Sequence, residues 1–325
     1  MYKDHFQLAR NPFDITPDPD CFVPTKGHNE ALAALYYGVR RHKGMVVVTG
    51  EVGTGKTLVL RCLLGLFKES QDVAYAYLFN GRLTPTEFLQ YIVSDFGLPS
   101  TGKNKAELLF DLSQFLVTRG MNKLTTVLIV DEAHHLSAEI LEEIRLLSNL
   151  ETTEDKLLQI VLAGQPELDL KLDSFGLRQL KQRIALRAQL DPLDPDKTRD
   201  YVERRLKIAG ASWRSGLLFP DQTISHVYRH SRGIPRLINT ICENALVTAY
   251  AKRLPSVTPE IIEEVARDLR LDIVSAVDDQ RTDNHTDHEV QRAIQVILDL
   301  YASRRRPAES TSDMSMPTSA VASDR

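Results

Sequence analysis

The residue types best suited to chemistry fall in three stretches of the chain. The first is Gly50–Thr57, which reads G-E-V-G-T-G-K-T. It meets G-x-x-x-x-G-K-[ST] at every defined position, the pattern of a loop that cradles phosphate. Gly50, Gly53 and Gly55 can take main-chain angles that side chains resist, so successive amides can turn inward around an anion. Lys56 brings a point charge to the terminal phosphates, and the hydroxyl of Thr57 suits a magnesium ion. The expected phosphate-binding set is Gly50, Glu51, Val52, Gly53, Thr54, Gly55, Lys56 and Thr57, with Leu58 as the next amide.

The second stretch is Thr125–Glu132, T-T-V-L-I-V-D-E, where two carboxylates end an apolar run. A carboxylate at the tip of a buried strand is costly unless it is paired with an ion or well hydrogen-bonded. Asp131 is therefore read as part of a magnesium shell, and Glu132 as the group that orients and polarises a water. Asp131–His134 spells D-E-A-H, a tetrapeptide also found in a class of helicases. Those need a second stacked motor domain, for which the rest of this chain is too short and too helical. With no cysteine pair or third histidine close in sequence, His134 and His135 read as a surface or supporting pair rather than zinc ligands.

The third stretch supplies polar and cationic groups. Gln165, in A-G-Q-P-E, stands where an amide could bond a terminal phosphate or the attacking water. Arg178, Arg183 and Arg187 lie in L-R-Q-L-K-Q-R-I-A-L-R. An arginine there can place a rigid charge against a phosphoryl group, in a neighbouring subunit's site, or can be part of a solvated cationic face. Arg236, in G-I-P-R, falls in the first turn of a helix, where a cation is unfavourable unless something such as a polyphosphate compensates it.

The elements that would position these residues alternate. Strands are expected at 45–49, 73–79, 125–130 and 157–163, and helices at 27–42, 58–68, 85–96, 105–118 and 137–150. This is an α/β pattern, a parallel sheet covered by helices on both faces. From residue 192 the pattern turns helical, with segments at 195–209, 221–231, 235–252 and 259–270, so a second domain is expected over 192–272 behind a core at 27–191. Residues 1–26 read as an irregular arm, whose Phe6, Phe13 and Phe22 either anchor it on the body or close it over a base. Residues 273–287 read as a polar linker, and 288–303 as an amphipathic helix with Val290, Ala293, Ile294, Ile297, Leu298 and Tyr301 on one stripe. A disordered tail is expected over 304–325.

The totals bound the function. The chain has 325 residues, a net charge of −4 and 42% apolar residues, ordinary for a globular protein and unlike a strongly cationic nucleic-acid binder. Its three cysteines, Cys21, Cys62 and Cys242, are too few and too scattered for a disulfide frame. There is no apolar signal region at the start, and no run reaches the ~18 residues of a membrane span. Cytoplasmic location is the expectation.

Taken in order, the phosphate loop, D-E-A-H, A-G-Q-P-E-L, L-R-Q-L-x-Q-R-I and G-I-P-R-L-I-N, behind N-P-F-x-x-T-P-D-P, resemble the ExeA/GspA-type accessory ATPases of bacterial type II secretion and related pilus systems, over roughly residues 1–270. The resemblance implies a P-loop NTPase of the AAA+ class, a three-layer parallel sheet with a C-terminal helical lid domain. It implies ATP and Mg²⁺ as ligands, with Lys56 and Thr57 binding them and Asp131 and Glu132 in the Walker B role. Gln165 would be the first sensor and Arg236 the second. Arg183, or else Arg178, would be the finger reaching a neighbour's site in a ring-shaped homo-oligomer. Full-length secretion members continue into a transmembrane helix and a peptidoglycan-binding domain. Neither is legible here, so a shorter relative of a secretion, pilus or polysaccharide-export system is expected. Related ATPases serve DNA transposases, which keeps a DNA-binding regulator as the alternative. The arginine-flanked helix near the end suits a docking element or peripheral contact with the inner membrane.

Overall fold

The computed structural model describes residues 2–14, 23–79, 83–153, 155–211 and 218–271. Cys21, Phe22 and the expected linker, amphipathic helix and tail lie outside them. In chain order the described elements open with α1 (Tyr2–Phe6), α2 (Lys26–Arg40), β1 (Met45–Gly50), α3 (Lys56–Lys68) and β2 (Val73–Leu78). There follow α4 (Pro85–Asp95), α5 (Lys105–Met121), β3 (Thr125–Val130), a 3-10 turn at Ala133–His135, α6 (Ala138–Leu147) and β4 (Gln159–Gly164). Then come α7 (Glu167–Leu172), α8 (Arg178–Lys181), β5 (Ile184–Leu190), α9 (Pro195–Ile208), α10 (Asp221–Ser231), α11 (Pro235–Ala251) and α12 (Pro259–Asp268).

Local chemistry sets many of the helix starts. Thr25, Thr84, Asn104, Ser137 and Asp194 each accept a hydrogen bond from an amide in the turn they precede. Thr84 with Glu87, and Asn104 with Glu107, close reciprocal capping boxes. Proline opens α4, α9, α11 and α12, where its missing N–H costs nothing.

The strands form one parallel sheet in the order β2-β3-β4-β1-β5. Side chains alternate faces along each strand. Val46, Val48, Val127, Ile129, Val161 and Ala163 pack with α2 and α3 on one side. Met45, Val47, Leu128, Val130, Ile160 and Leu162 pack with α4, α5 and α6 on the other. Both faces are therefore core, and the near-continuous apolar runs of β1, β3 and β4 are the sequence trace of that double burial.

The sheet has one strand more than the sequence reading expects. Ile184–Leu190 runs beside β1, with Gly50 opposite Leu190. Its burial alternates, with Ala185, Arg187 and Gln189 exposed, as suits an edge strand. The same arginines that read as a cationic segment conceal its period of two.

Helices α9 to α12 enclose a separate apolar core, in which Val202, Phe219, Ile238, Ile241, Leu246 and Ile262 are fully buried. The N-terminal arm joins this core, so Phe6 and Phe13 anchor it on the body as expected, while Tyr2–Phe6 is helical where an irregular segment was expected. Tyr2, Phe6, Leu8 and Phe13 are buried in it. The Tyr2 hydroxyl donates to Glu243 on α11 at 2.7 Å, and Ala9 N–H donates to Ala209 O at 2.8 Å. Phe13 meets Phe219 edge-on at 5.8 Å. Burial pushes the carboxyl of Glu243 upward.

Candidate phosphate-binding site

The carboxyl ends of β1, β3 and β4 carry the site, as strand ends do in parallel sheets. Because β4 lies between β1 and β3, the residue that follows it is delivered between the phosphate loop and the acidic strand tip.

The loop leaves β1 at Gly50 and enters α3 at Lys56. Gly53 and Gly55 take left-handed angles, φ 84° and 104°, as expected of them. Gly50 does not, and its role is space: an added Cβ would stand 2.6 Å from Leu190 O and 2.8 Å from Thr54 Oγ1. The first helical hydrogen bond is Val59 N–H to Gly55 O, 3.0 Å. The amides ahead of it stand at the positive end of α3, a natural anion seat. Lys56 is 5% exposed, and its Nζ donates to Gly50 O at 2.7 Å and Glu51 O at 2.9 Å. Burial lowers its pKa, opposed by Glu132, Asp131, Glu51 and Glu167.

Asp131 is buried at the tip of β3 and fully engaged. Its Oδ2 accepts from the Thr57 hydroxyl and the Tyr77 hydroxyl, both at 2.9 Å. Its Oδ1 accepts Glu132 N–H at 2.9 Å. The Thr57 hydroxyl and Asp131 carboxylate, two hard oxygen donors in mutual contact, are a donor set that fits magnesium. Glu132 has φ 52°, a left-handed angle that is strained for a side-chain-bearing residue. That angle turns the carboxylate out of the strand direction. Its Oε2 is buried, 3.3 Å from His134 Nδ1.

Gln165 follows β4, and its side-chain nitrogen lies 2.9 Å from His134 Nε2. His134 is thus brought between Glu132 and Gln165. Glu132, His134 and His135 each also offer one ligand-type atom within 4.8 Å of the others, a grouping that their sequence spacing does not suggest.

The arginines separate. Arg236 is exposed in the first turn of α11, and its N–H donates to Gly53 O at 3.2 Å. An added Cβ on Gly53 would stand 2.7 Å from Arg236 Cβ, so the start of α11 sits directly on the phosphate loop. Gly233 (φ 74°) makes that approach, with room for a Cβ excluded by Leu193 O at 1.8 Å. Arg183 is exposed just before β5. Because Ile184 pairs with Met45 and Leu190 with Gly50, Arg183 stands at the opposite end of the sheet from its own loop, about 20 Å away at strand rise. Arg178 lies over the ring of exposed Phe175, 4.1 Å from its centroid. Arg187 is paired with Asp169.

Sequence reasoning passes over two supporting residues. Tyr77 is the phenol at the end of β2 that fixes Asp131, and burial next to Asp131 raises its pKa. His28, on α2, is buried with Nε2 2.8 Å from Thr54 O and Nδ1 2.6 Å from Thr25 Oγ1. Its one sequence signal is that a histidine occupies the apolar stripe 28, 31, 32 and 35. An added Cβ on Gly55 would stand 2.6 Å from His28 Nε2, so the third glycine of the loop makes room for this ring.

The sheet order, the loop after β1 and the acidic tip of β3 define a P-loop fold of the AAA class. A family described as AAA domain matches residues 39–172, and the chain belongs to that class. More particularly, it is similar to General secretion pathway protein A of Aeromonas hydrophila, 44% identical over 254 residues that cover 78% of this chain and 45% of that protein. The chain thus spans less than half the length of that curated relative. Among solved structures, Cdc6p from Pyrobaculum aerophilum matches with a TM-score of 0.59 at 20% identity, covering 82% of this chain and 72% of the other. The ORC2 protein of Aeropyrum pernix matches at 0.58 and 19%, covering 80% and 71%. At such identity these two bear on the fold alone.

Proposed function

We propose that this chain binds ATP with Mg²⁺, hydrolyses it, and acts as an accessory or assembly ATPase of a bacterial secretion, pilus or polysaccharide-export system. The observation that carries the hydrolytic part is the Thr57–Asp131 contact at 2.9 Å, with Lys56 on one side and Glu132 on the other. In this reading the loop amides and Lys56 hold the phosphates, and Thr57 and Asp131 hold Mg²⁺, which would neutralise charge on the β- and γ-oxygens. Glu132 polarises the attacking water, Gln165 contacts the terminal phosphate or that water, and Arg236 ties the helical domain to the nucleotide.

Arg183 is the finger for a neighbouring copy, with Arg178 as the second candidate. The distance of Arg183 from its own loop supports action in trans, and so a ring-shaped homo-oligomer. The likeness to General secretion pathway protein A supports the choice of pathway. Among the described residues no helix is long and apolar enough to cross a membrane. We place the protein in the cytoplasm, with residues 288–303 as its contact to a partner or to the inner membrane.

Phosphate release is the test, measured across protein concentration, with and without Mg²⁺ and duplex DNA. Turnover should require Mg²⁺, rise more than linearly with concentration, and fall by at least about a hundredfold in Lys56→Ala and Glu132→Gln. Arg183→Ala should abolish the concentration dependence. Magnesium-independent or absent turnover overturns the enzyme reading. Strong stimulation by DNA that fades steeply with salt would instead favour the transposition regulator.

A further inference from the structure

Gln165 meets His134 through both nitrogens of the ring. The Gln165 main-chain N–H donates to His134 Nδ1 at 3.4 Å. The Gln165 side-chain amide stands against His134 Nε2 at 2.9 Å. The imidazole is held from other sides as well. Its side chain is only 9% exposed, and the His135 ring lies against it with centroids 3.9 Å apart. The His134 carbonyl accepts from Lys171 Nζ at 2.7 Å, and Lys171 also holds Leu136 O at 2.8 Å. The 3-10 turn is thus clamped to α7. Gly164, at the end of β4, leaves the space: a Cβ there would stand 3.2 Å from His134 N.

The ring is neutral in this setting, since burial and the neighbouring His135 lower its pKa against the pull of Glu132. A neutral imidazole has one donor and one acceptor. Nδ1 accepts the Gln165 N–H, so the proton is on Nε2. That proton needs an acceptor, and the one in reach is the oxygen of the Gln165 amide. A half-turn of the amide exchanges its oxygen and nitrogen, and hydrogen bonding decides between them. Oxygen toward the ring makes a bond, whereas nitrogen there would set two donors against each other. The amide hydrogens of Gln165 are then turned away from His134. With Nδ1 engaged, no hydrogen bond joins the ring to Glu132. Among the described residues Glu132 Oε2 has no hydrogen-bond partner, which leaves its lone pairs for a water.

We propose that His134 is a positioning residue for Gln165: it holds the amide oxygen inward, so that Gln165 presents only N–H donors to the nucleotide. Donors suit a terminal phosphate oxygen, which carries lone pairs and no hydrogen. Gln165 therefore donates to the terminal phosphate and does not accept a proton from the attacking water. This deepens the hydrolytic reading above and rests on it.

The experiment has two readouts on the full chain. The first is the NMR shifts of the His134 ring nitrogens without nucleotide, the signal being identified by its loss in His134→Gln. A protonated Nε2 and a bare Nδ1 are expected. The second is steady-state ATPase kinetics of the parent, His134→Ala, His134→Gln, His134→Asn, Gln165→Ala, Gln165→Glu and the His134→Ala/Gln165→Ala double variant. His134→Ala should lose about ten- to a hundredfold in kcat. A glutamine nitrogen reaches the position of Nε2 and should recover most of this. Asparagine reaches only that of Nδ1 and should recover little. The double variant should lose no more than the worse single one, because His134 acts through Gln165. Gln165→Glu puts a negative charge where the donors stood, so its turnover should fall at least as far as that of Gln165→Ala.

A proton on Nδ1, a Gln165→Glu variant faster than Gln165→Ala, equal rescue by asparagine and glutamine, or additive losses would each overturn the proposal and leave the ATPase reading intact. So would a His134→Ala kcat within about twofold of the parent. If His134→Ala does not fold, the ring shifts and Gln165→Glu decide the matter. A parent chain that shows no magnesium-dependent turnover would sink the ATPase reading, and this role with it.

Discussion

Replacing His28 with leucine probes how the phosphate loop is held. The imidazole is 5% exposed and touches Thr54 O at 2.8 Å and Thr25 Oγ1 at 2.6 Å. Both contacts can be satisfied by a neutral ring with its proton on Nε2. That proton goes to the Thr54 carbonyl, and the Thr25 hydroxyl donates to Nδ1 while accepting His28 N–H at 3.3 Å. Leucine has nearly the same bulk but strands the Thr54 carbonyl inside the loop. A stranded buried acceptor costs about 1–3 kcal/mol. If that cost falls on the loop geometry that nucleotide needs, ATP affinity drops roughly 5- to 150-fold. His28→Gln, whose amide nitrogen can reach the Nε2 position, should recover most of the loss.

Acidity gives a second reading of the same contact. Burial lowers the pKa of His28, with the Thr54 bond opposing it, so its folded value lies below the unfolded value of about 6.5. Its contribution is then fully present above about pH 6.5 and is lost as pH falls from there toward the folded value. His134 is lowered as well and adds a slope of the same sign. Each contributes at most about 1.4 kcal/mol per pH unit. Calorimetric titration with Mg-ATP at pH 7.5, and thermal unfolding from pH 7.5 to 5, measure both effects. The reasoning is refuted if His28→Leu keeps parental affinity and unfolds at the parental midpoint, or if His28→Gln retains the full acid slope of the parent.

Two other predictions follow from the geometry. Tyr77→Phe removes one of the two hydroxyls that hold Asp131 Oδ2, so the Mg²⁺ concentration for half-maximal turnover should rise about two- to tenfold, with folding stability within roughly 1 kcal/mol of the parent. No change in the Mg²⁺ requirement would show that the Thr57 hydroxyl is enough to hold Asp131 Oδ2. Phe13→Ala empties a fully buried site against Phe219 in the helical domain and should cost about 3–5 kcal/mol of stability, seen as a lower unfolding midpoint. An arm that instead closed over a base would show the opposite balance, weaker ATP binding with little loss of stability.

How much of this was legible before the fold depended on how local the signal was. The phosphate loop is a contiguous octapeptide, because cradling an anion is a problem of main-chain angles solved within one turn. Strands β1, β3 and β4 were plain because burial on both faces leaves apolar runs. Edge strand β5 was not, because a half-exposed strand admits Arg187 and Gln189 on its outer face and resembles a charged segment. The arm was legible in part: Phe6 and Phe13 show that it is anchored, but not which of two apolar cores receives it.

Residue type and spacing alone determined that this chain carries a glycine-lysine-threonine loop, an acidic strand tip after it and a helical second half. Only tertiary structure decided which groups meet. Strand order put Gln165 between loop and acid, a left-handed Glu132 turned its carboxylate toward His134, and helix α2 brought His28 under Thr54. The His28–Thr54, His134–Gln165 and Thr57–Asp131 contacts join residues 26, 31 and 74 positions apart. Such pairings are set by the packing of whole elements, and no rule of neighbouring residues encodes them.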